Sequence, residues 1–185
     1  MYPRPRARKR FPLVLLALTG LLAGCGGGGG GSSSQGTTTQ VSGRRVVGPG
    51  FTFVAPDSWK VSHDPRSATV KPGGDEPTLA SVTALALRSR YRSSLYTKVS
   101  KELDAVTSSL ADKLNGNVIA RRDVVAGGIK ARQYDVAYER GGEGLVDRIT
   151  FVLKRKNEYY VLCRWRADKG EPDACGLLLR TFASR

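Results

Sequence analysis

The only histidine of the chain is the first candidate for acid–base chemistry. His63 precedes Asp64 and Pro65, and a His–Asp pair can act as base and orienter in nucleophilic catalysis. Adjacent residues rarely adopt that geometry, and no Gly-x-Ser-x-Gly elbow or Ser-x-x-Lys with plausible partners accompanies it. The acidic residues are scattered, which leaves glycoside hydrolysis by two facing carboxylates as an open alternative. We therefore interpret His63 as a surface residue and expect neither catalytic residues, nor a metal site, nor a cofactor.

A basic segment is the strongest binding candidate. In the stretch RSRYRSSLY, Arg88, Arg90 and Arg92 alternate around Tyr91, just before a predicted helix. Arginine guanidinium groups bind phosphate or carboxylate with two parallel hydrogen bonds, and a helix N-terminus adds a favourable dipole. The segment therefore predicts a site for an anionic lipid or wall polymer. The alternative is a solvated loop with no ligand.

A third kind of chemistry is indicated at Cys25. Basic residues at positions 4 to 10 are followed by an apolar run over 11–23 that is too short to span a bilayer, the pattern of a signal peptide. Its exit, LAGC, resembles the lipobox of bacterial lipoproteins, which implies cleavage before Cys25 and acylation of that cysteine. We expect residues 1–24 to be a lipoprotein signal peptide and the protein to be lipid-anchored on the extracytoplasmic side of the cell membrane. An ordinary signal peptide with an incidental cysteine is the alternative.

The residues after Cys25 predict a spacer. Residues 25–45 are rich in Gly, Ser and Thr, and such chains behave as flexible coils. The six glycines at 26–31 could also suggest a phosphate-binding loop, but that motif requires a preceding strand and a following helix, which the sequence lacks here. We read 25–45 as a tether and 46–185 as one folded domain.

The net charge of the chain indicates which classes of partner to expect, and its two remaining cysteines indicate a disulfide. The chain has 185 residues with 30 basic and 16 acidic side chains, and without residues 1 to 25 it keeps 25 basic residues, a net charge of +9. Outside the cytoplasm this favours anionic lipids, wall polymers or an envelope protein over nucleic acid, although arginine-rich codon usage alone would also explain it.

In an oxidising compartment Cys163 and Cys175 favour a disulfide over free thiols or a metal site. We expect a monomer.

Periodicity predicts the elements of the domain. Alternating or continuous apolar residues indicate strands in FTFVA, SATVK and LASVTALAL. Steps of three and four then indicate one face of a helix, capped by Ser93 or Ser94 and ended by Asn115-Gly116; its members are Leu95, Val99, Leu103, Val106, Leu110 and Leu114. Four strands follow, with turns at Gly127-Gly128, at 141–144 and at 156–158. Arg121, Arg122, Arg164 and Arg166 are predicted to point outward from these strands.

The C-terminal end predicts the disulfide partners. Tyr159, Val161, Cys163 and Trp165 share one face of the last predicted strand. A short helix then starts at Pro172-Asp173, with Pro suiting its first turn, and presents Cys175 on its apolar face. If that helix lies on the sheet, Cys175 meets Cys163.

The order of these elements predicts an α+β sandwich with an antiparallel sheet, one long central helix and a short C-terminal helix. The opening FTFVAPDSW, the central helix, the meander from 131 to 165 and the closing ACGLLLRTF resemble the PsbP/Mog1-like domain of small actinobacterial cell-envelope lipoproteins. The resemblance covers residues 48–182 and implies a non-enzymatic binding or accessory role. A lipid or small-molecule carrier with an apolar cavity, or a hydrolase of envelope substrates, is the alternative.

Overall fold

The computed structural model describes residues 42–74 and 76–185. The predicted leader, Cys25 and nearly all of the predicted tether lie outside the described residues. Strand β1 begins at Arg44, just before the predicted domain start at residue 46. None of the helices in the described part of the chain combines the length and the apolar character needed to cross a membrane.

Residues 42–74 and 76–185 form ten strands and two α-helices, with a short 3₁₀ helix at Ser93–Leu95 before the first α-helix. The early strands are β1 (Arg44–Gly48), β2 (Phe51–Ala55), β3 (Lys60–Asp64), β4 (Ser67–Lys71) and β5 (Leu79–Ala86). The later elements are α1 (Tyr96–Lys113), β6 (Asn117–Ala126), β7 (Ile129–Arg140), β8 (Glu143–Lys154), β9 (Asn157–Arg166), α2 (Asp173–Thr181) and β10 (Ala183–Ser184).

Seven of the strands form one antiparallel sheet in the order β3-β4-β5-β9-β8-β7-β6. The predicted meander is therefore confirmed as β6 to β9, and β5 joins it by pairing with β9. The last turn was placed wrongly: it consists of Arg155 and Lys156, whereas Asn157 and Glu158 already belong to β9. The expected α+β class with an antiparallel sheet is confirmed.

A second, three-stranded sheet in the order β1-β2-β10 was not predicted. Together with α2 it covers one face of the large sheet, where the buried side chains of β2 and β9 meet those of α2. Phe51, Tyr159 and Phe182 form the centre of this core, with ring centroids 6.2 and 5.3 Å apart in edge-to-face geometry. The two-residue strand β10 is too short to give a periodic signal, which is why the sequence did not reveal it.

Helix α1 packs on the opposite face of the large sheet, over β6 and β7. The inward face is rotated relative to the prediction: Leu95 and Val106 are 42% and 56% exposed, whereas Thr107 and Ala111 are buried. Thr107 and Ala111 lie on the same face of the helix as Leu103 and Leu110, three or four residues apart. Asp104, next to this face, accepts a hydrogen bond from Tyr134 of the sheet. Leu95, at the start of the predicted stripe, and Val106, in its middle, therefore face solvent, whereas Leu103, Leu110 and Leu114 pack against the sheet.

The two ends of α1 differ in how well they were predicted. Asn115 has φ 52°, and the Gly116 N–H donates to the Ala111 carbonyl at 2.9 Å, so Asn115-Gly116 does end the helix. At the start, the N-cap residue is Leu95, with no side-chain cap bond, because Ser93 and Ser94 lie in the preceding 3₁₀ turn. The predicted serine cap is wrong.

Candidate basic binding site

The predicted basic segment connects β5 to the 3₁₀ turn before α1. Arg88, Arg90 and Arg92 are all exposed, and Tyr91 is half-buried between them. Partial burial raises the pKa of the Tyr91 hydroxyl. Arg88, Arg90 and Arg92 thus lie at the surface on either side of a partly buried tyrosine.

Two backbone hydrogen bonds fix this segment against the β8–β9 turn. The Leu87 N–H donates to the Lys156 carbonyl at 2.8 Å, and the Tyr91 N–H donates to the Arg155 carbonyl at 2.6 Å. Arg155 and Lys156 are exposed, so the fold places two further cations beside the predicted ones. We call Arg88, Arg90, Arg92, Arg155 and Lys156 the basic surface. Sequence reasoning missed its second half, because these residues lie far apart in the chain and no local pattern joins them.

The backbone of Arg155 adopts a conformation that disfavours an arginine. Its φ is 56°, the left-handed region that costs an L-residue with a side chain roughly 1–2 kcal/mol and that glycine adopts freely. The other tight turns of the meander use Gly127-Gly128 and Gly141-Gly142 at such positions. Arg155 therefore places a cation at a turn position suited to glycine.

Neighbouring groups leave the basic surface strongly positive. Exposed Arg66 flanks it, because the Ala84 N–H donates to the Arg66 carbonyl at 2.8 Å. Three acids of the described strands lie toward this end of the sheet, and Asp123 is paired with Lys130 and Arg132. Asp64 accepts a hydrogen bond from Ser67 Oγ at 3.1 Å, and burial raises the pKa of the Glu158 carboxyl. Several guanidinium groups on one exposed surface can bind phosphate or carboxylate groups at several points.

A groove of about 230 Å³ lies beside the start of α1, between the helix and the β6–β7 hairpin. Tyr96 Oη donates to Asp123 Oδ1 at 2.7 Å, and Lys130 Nζ lies 3.0 Å from Asp123 Oδ2 and 4.2 Å from the Tyr96 ring centroid. The Tyr96 hydrogen bond, with those of Lys130 and Arg132, lowers the pKa of Asp123 to about 2. The same carboxylate raises the pKa of Tyr96, after the larger effect of burial.

The inner wall of this groove is an ion cluster. Arg132 donates from Nε and Nη2 to Asp104 Oδ1 at 3.1 and 3.0 Å, and from Nη1 to Asp123 at 3.0 Å. Tyr134 Oη also donates to Asp104, at 2.7 Å. Burial would raise the pKa of Asp104, but these hydrogen bonds hold it below its usual value. The two carboxylates of the groove are thus paired with Lys130 and Arg132, and the groove is not part of the basic surface.

The structure joins Cys163 of β9 to Cys175 of α2 by a disulfide, with their Cα atoms 5.7 Å apart. Both lie on the faces that periodicity assigned to them. Pro172, predicted in the first turn of this helix, is instead its N-cap, and α2 begins at Asp173. The disulfide fixes the last helix to the centre of the large sheet.

His63 is exposed in the edge strand β3, opposite Ala68, where the sequence predicted a surface residue. The predicted outward arginines need one correction. Arg122 and Arg164 do not simply point outward: they bind the buried carboxylates of Asp135 and Asp147 at 3.0 and 2.7 Å. Within the described residues, no three side chains of the His, Cys, Asp and Glu types come together as a potential metal site.

Comparison with known proteins shows the fold. No protein-family model and no curated protein matches the chain. Among solved structures, the cyanobacterial PsbP (CyanoP) of Synechocystis matches at a TM-score of 0.57 and 13% identity, over 84% of this chain and 100% of that chain. A Bacteroides thetaiotaomicron protein matches at a TM-score of 0.57 and 14% identity, over 77% of this chain and 48% of that chain. The chain thus spans about half the length of the Bacteroides protein.

A third similar structure is LpqN of Mycobacterium tuberculosis, described as involved in cell envelope biogenesis. It matches at a TM-score of 0.46 and 11% identity, over 76% of this chain and 84% of that chain. At identities this low, structural similarity shows the fold alone. The match to the cyanobacterial PsbP at a TM-score of 0.57 shows that the chain has a PsbP-like α+β fold.

Proposed function

We propose that the protein is a membrane-anchored, non-enzymatic binding module of the cell envelope, and that its basic surface binds an anionic envelope partner. The observation that carries this is the convergence of two distant segments. The backbone bonds of Leu87 and Tyr91 to the β8–β9 turn bring Arg155 and Lys156 next to Arg88, Arg90 and Arg92. A solvated loop needs neither this alignment nor an arginine at positive φ.

Anionic chemistry follows from the side chains. Guanidinium groups bind phosphate and carboxylate oxygens with paired hydrogen bonds, and a phosphate-bearing lipid or wall polymer offers many such groups. Exposed charges interact weakly one by one and are screened beyond about 8 Å at physiological ionic strength, so binding depends on several cations acting together. A protein partner with an acidic surface would share this chemistry.

The experiment is binding of the predicted mature chain, residues 25–185 with Cys25→Ser, to vesicles across a salt series. Phosphatidylglycerol vesicles supply anionic phosphates, and phosphatidylcholine vesicles supply the neutral control. We expect binding to the anionic vesicles that weakens steadily as salt rises, and little binding to the neutral ones. Equal binding to both, or binding indifferent to salt, would reject the basic surface and favour an apolar protein-protein contact.

The anchor is a separate part of the proposal and has its own test. Its support is the cysteine that follows a signal-like apolar run and precedes a Gly-rich spacer. Lipid attachment would raise the local concentration of the domain near its partners, so a weak intrinsic affinity suffices. Cell fractionation and mass spectrometry should find the wild-type chain in the membrane with an acyl mass shift, and Cys25→Ser without that shift. A variant that stays in the membrane pellet with an acyl mass shift would contradict this.

The absence of catalysis is proposed on the environment of His63. It is exposed in an edge strand, and its cross-strand neighbour is Ala68, which offers no group to orient an imidazole. A hydrolase that uses this base should lose rate by about two to four orders of magnitude in His63→Ala. Turnover of a wall or lipid substrate with that dependence would replace the binding module by an enzyme.

A further inference from the structure

A cavity of about 200 Å³ lies beneath α2, on the face of the large sheet opposite α1. It is separate from the basic surface and from the groove beside α1. Its walls come from β7, β8, β9, the segment before α2, and α2 itself; they are Gln133, Arg148, Thr150, Val161, Cys163, Glu171, Cys175, Gly176, Leu179 and Arg180.

One wall is a buried polar relay. Arg122 Nε donates to Gln133 Oε1 at 2.6 Å, which orients the amide so that Gln133 Nε2 donates to Thr150 Oγ1 at 2.8 Å. Gln133 and Thr150 are only 3% and 1% exposed. Since Thr150 accepts this bond, its own proton is free for another acceptor, and among the described residues it donates to none. Thr150 lines the cavity, so its hydroxyl can donate to a bound molecule.

Among the charged side chains that line the cavity, Arg180 alone has no ion-pair partner in the described part of the chain. Arg148 donates from Nε and Nη2 to Asp135 at 2.8 and 3.0 Å and pairs through Nη1 with Glu171, so its donors and both acids are occupied. Arg180 instead folds back over Gly176: a Cβ at that glycine would lie 2.9 Å from Arg180 Nη1. The guanidinium therefore sits at the cavity wall, where it favours a negative ligand group.

The remaining wall is apolar. It consists of Val161, Leu179 and the Cys163–Cys175 disulfide. An apolar cavity of about 150 Å³ holds benzene, so this volume suits a molecule of about eight or nine heavy atoms. It is smaller than the roughly 300–1,000 Å³ of drug-sized pockets, which argues against a long acyl chain as its occupant.

We propose that this cavity binds a small monocarboxylate with an apolar body, of the size of benzoate. The carboxylate accepts hydrogen bonds from the Thr150 hydroxyl and the Arg180 guanidinium. The apolar body lies against Val161, Leu179 and the disulfide. The site is independent of the proposed anionic partner of the basic surface.

The test uses three probes on the full chain carrying Cys25→Ser: benzoate, the neutral benzyl alcohol of the same size, and acetate, which lacks an apolar body. Titrations follow the backbone amide signals of Thr150 and Gly176 by NMR. We expect saturable benzoate binding with a Kd of about 1 mM or below, and binding at least about tenfold weaker for the other two probes. Equal affinity for benzoate and benzyl alcohol, or no saturation by benzoate, would overturn the proposal.

Two variants separate the parts of the site. Arg180→Met should weaken benzoate about tenfold and leave benzyl alcohol unchanged, whereas the exposed control Arg140→Met should change neither. Leu179→Trp should fill the cavity and abolish both, with the amide spectrum reporting whether the fold persists. If Leu179→Trp fails to fold, the Arg180→Met comparison still decides. An Arg180→Met chain that binds benzoate as tightly as wild type would contradict the assignment.

Discussion

Arg155 holds a backbone conformation that glycine would adopt without steric cost. Its φ of 56° lies in a two-residue turn, and its carbonyl accepts the Tyr91 N–H that aligns the basic surface. At this residue, local backbone preference and side-chain chemistry conflict. The conflict offers a way to separate stability from binding.

We predict that Arg155→Gly raises the free energy of unfolding by about 1 kcal/mol, because the left-handed strain is relieved. The same variant should bind phosphatidylglycerol vesicles more weakly than wild type at low salt. Urea unfolding and vesicle sedimentation measure the two effects on one preparation. A variant that is more stable and binds equally well would show that the Arg155 side chain has no binding role.

The disulfide is the second feature at residue scale. Its cysteines are 12 residues apart, and closing a loop of about that length removes roughly 3 kcal/mol of chain entropy from the unfolded state. We predict that Cys175→Ser lowers the free energy of unfolding by about that amount and that reductant then has no further effect. Non-reducing mass spectrometry of the exported wild type should show the linked peptides. Free thiols in that material would contradict the disulfide.

At the scale of elements, ion pairs attach α1 to the large sheet. Asp104 of α1 accepts hydrogen bonds from Arg132 and Tyr134 of β7. At the helix start, the Tyr96 hydroxyl donates a hydrogen bond to Asp123 of β6. These contacts fix the rotation of the helix about its own axis, which explains why Leu95 and Val106 face solvent. Helical periodicity predicted the helix, but it could not reveal which polar side chains of the sheet bind it.

This attachment predicts a sign for the effect of acid. The folded pKa of Asp123 is about 2, below the unfolded value of about 3.9, so its contribution is present above pH 4 and is lost as pH falls toward 2. Asp123→Asn should therefore flatten the fall in unfolding free energy between pH 4 and 2. Asp57→Asn, in an exposed turn, serves as the control. Parallel pH profiles for wild type and Asp123→Asn would contradict the shift.

The elements also show what the sequence could reveal. Alternation and glycine turns predicted β6 to β9, and facing apolar positions predicted that Cys163 meets Cys175, because these signals are local. The β1-β2-β10 sheet was missed because pairing between the two ends of the chain has no local signal. The same reason hid Arg155 and Lys156 from the predicted site, although Arg88 to Arg92 stood out by composition.

At the scale of the whole molecule, the chain enters the fold far from the basic surface. Arg44 of β1 bonds to the Trp59 carbonyl, at the end where β3 begins, whereas the β3–β4 and β8–β9 turns lie at the other end. Strand β8 alone has 12 residues, roughly 40 Å at about 3.3 Å each. We propose that a domain anchored at Cys25 presents the basic surface away from its own membrane.

That orientation predicts binding in trans. The acylated full chain, anchored in phosphatidylcholine vesicles, should link them to a second population of phosphatidylglycerol vesicles. Light scattering or lipid-label coincidence measures the linkage, and high salt should reverse it because exposed charges are screened. No linkage, from a chain that binds the same anionic vesicles when Cys25→Ser releases it, would place the surface toward the anchoring membrane.

The central claim, that binding resides in the basic surface and not in net charge, is tested most directly by two matched variants. The first variant combines Arg88→Glu, Arg90→Glu and Arg92→Glu. The second combines Lys60→Glu, Arg140→Glu and Lys169→Glu, at three exposed residues of the opposite end of the sheet. Both change the net charge equally. In low-salt sedimentation with phosphatidylglycerol vesicles, we predict that the first loses at least about tenfold in affinity and the second stays within about twofold of wild type. Equal losses in both would contradict the claim.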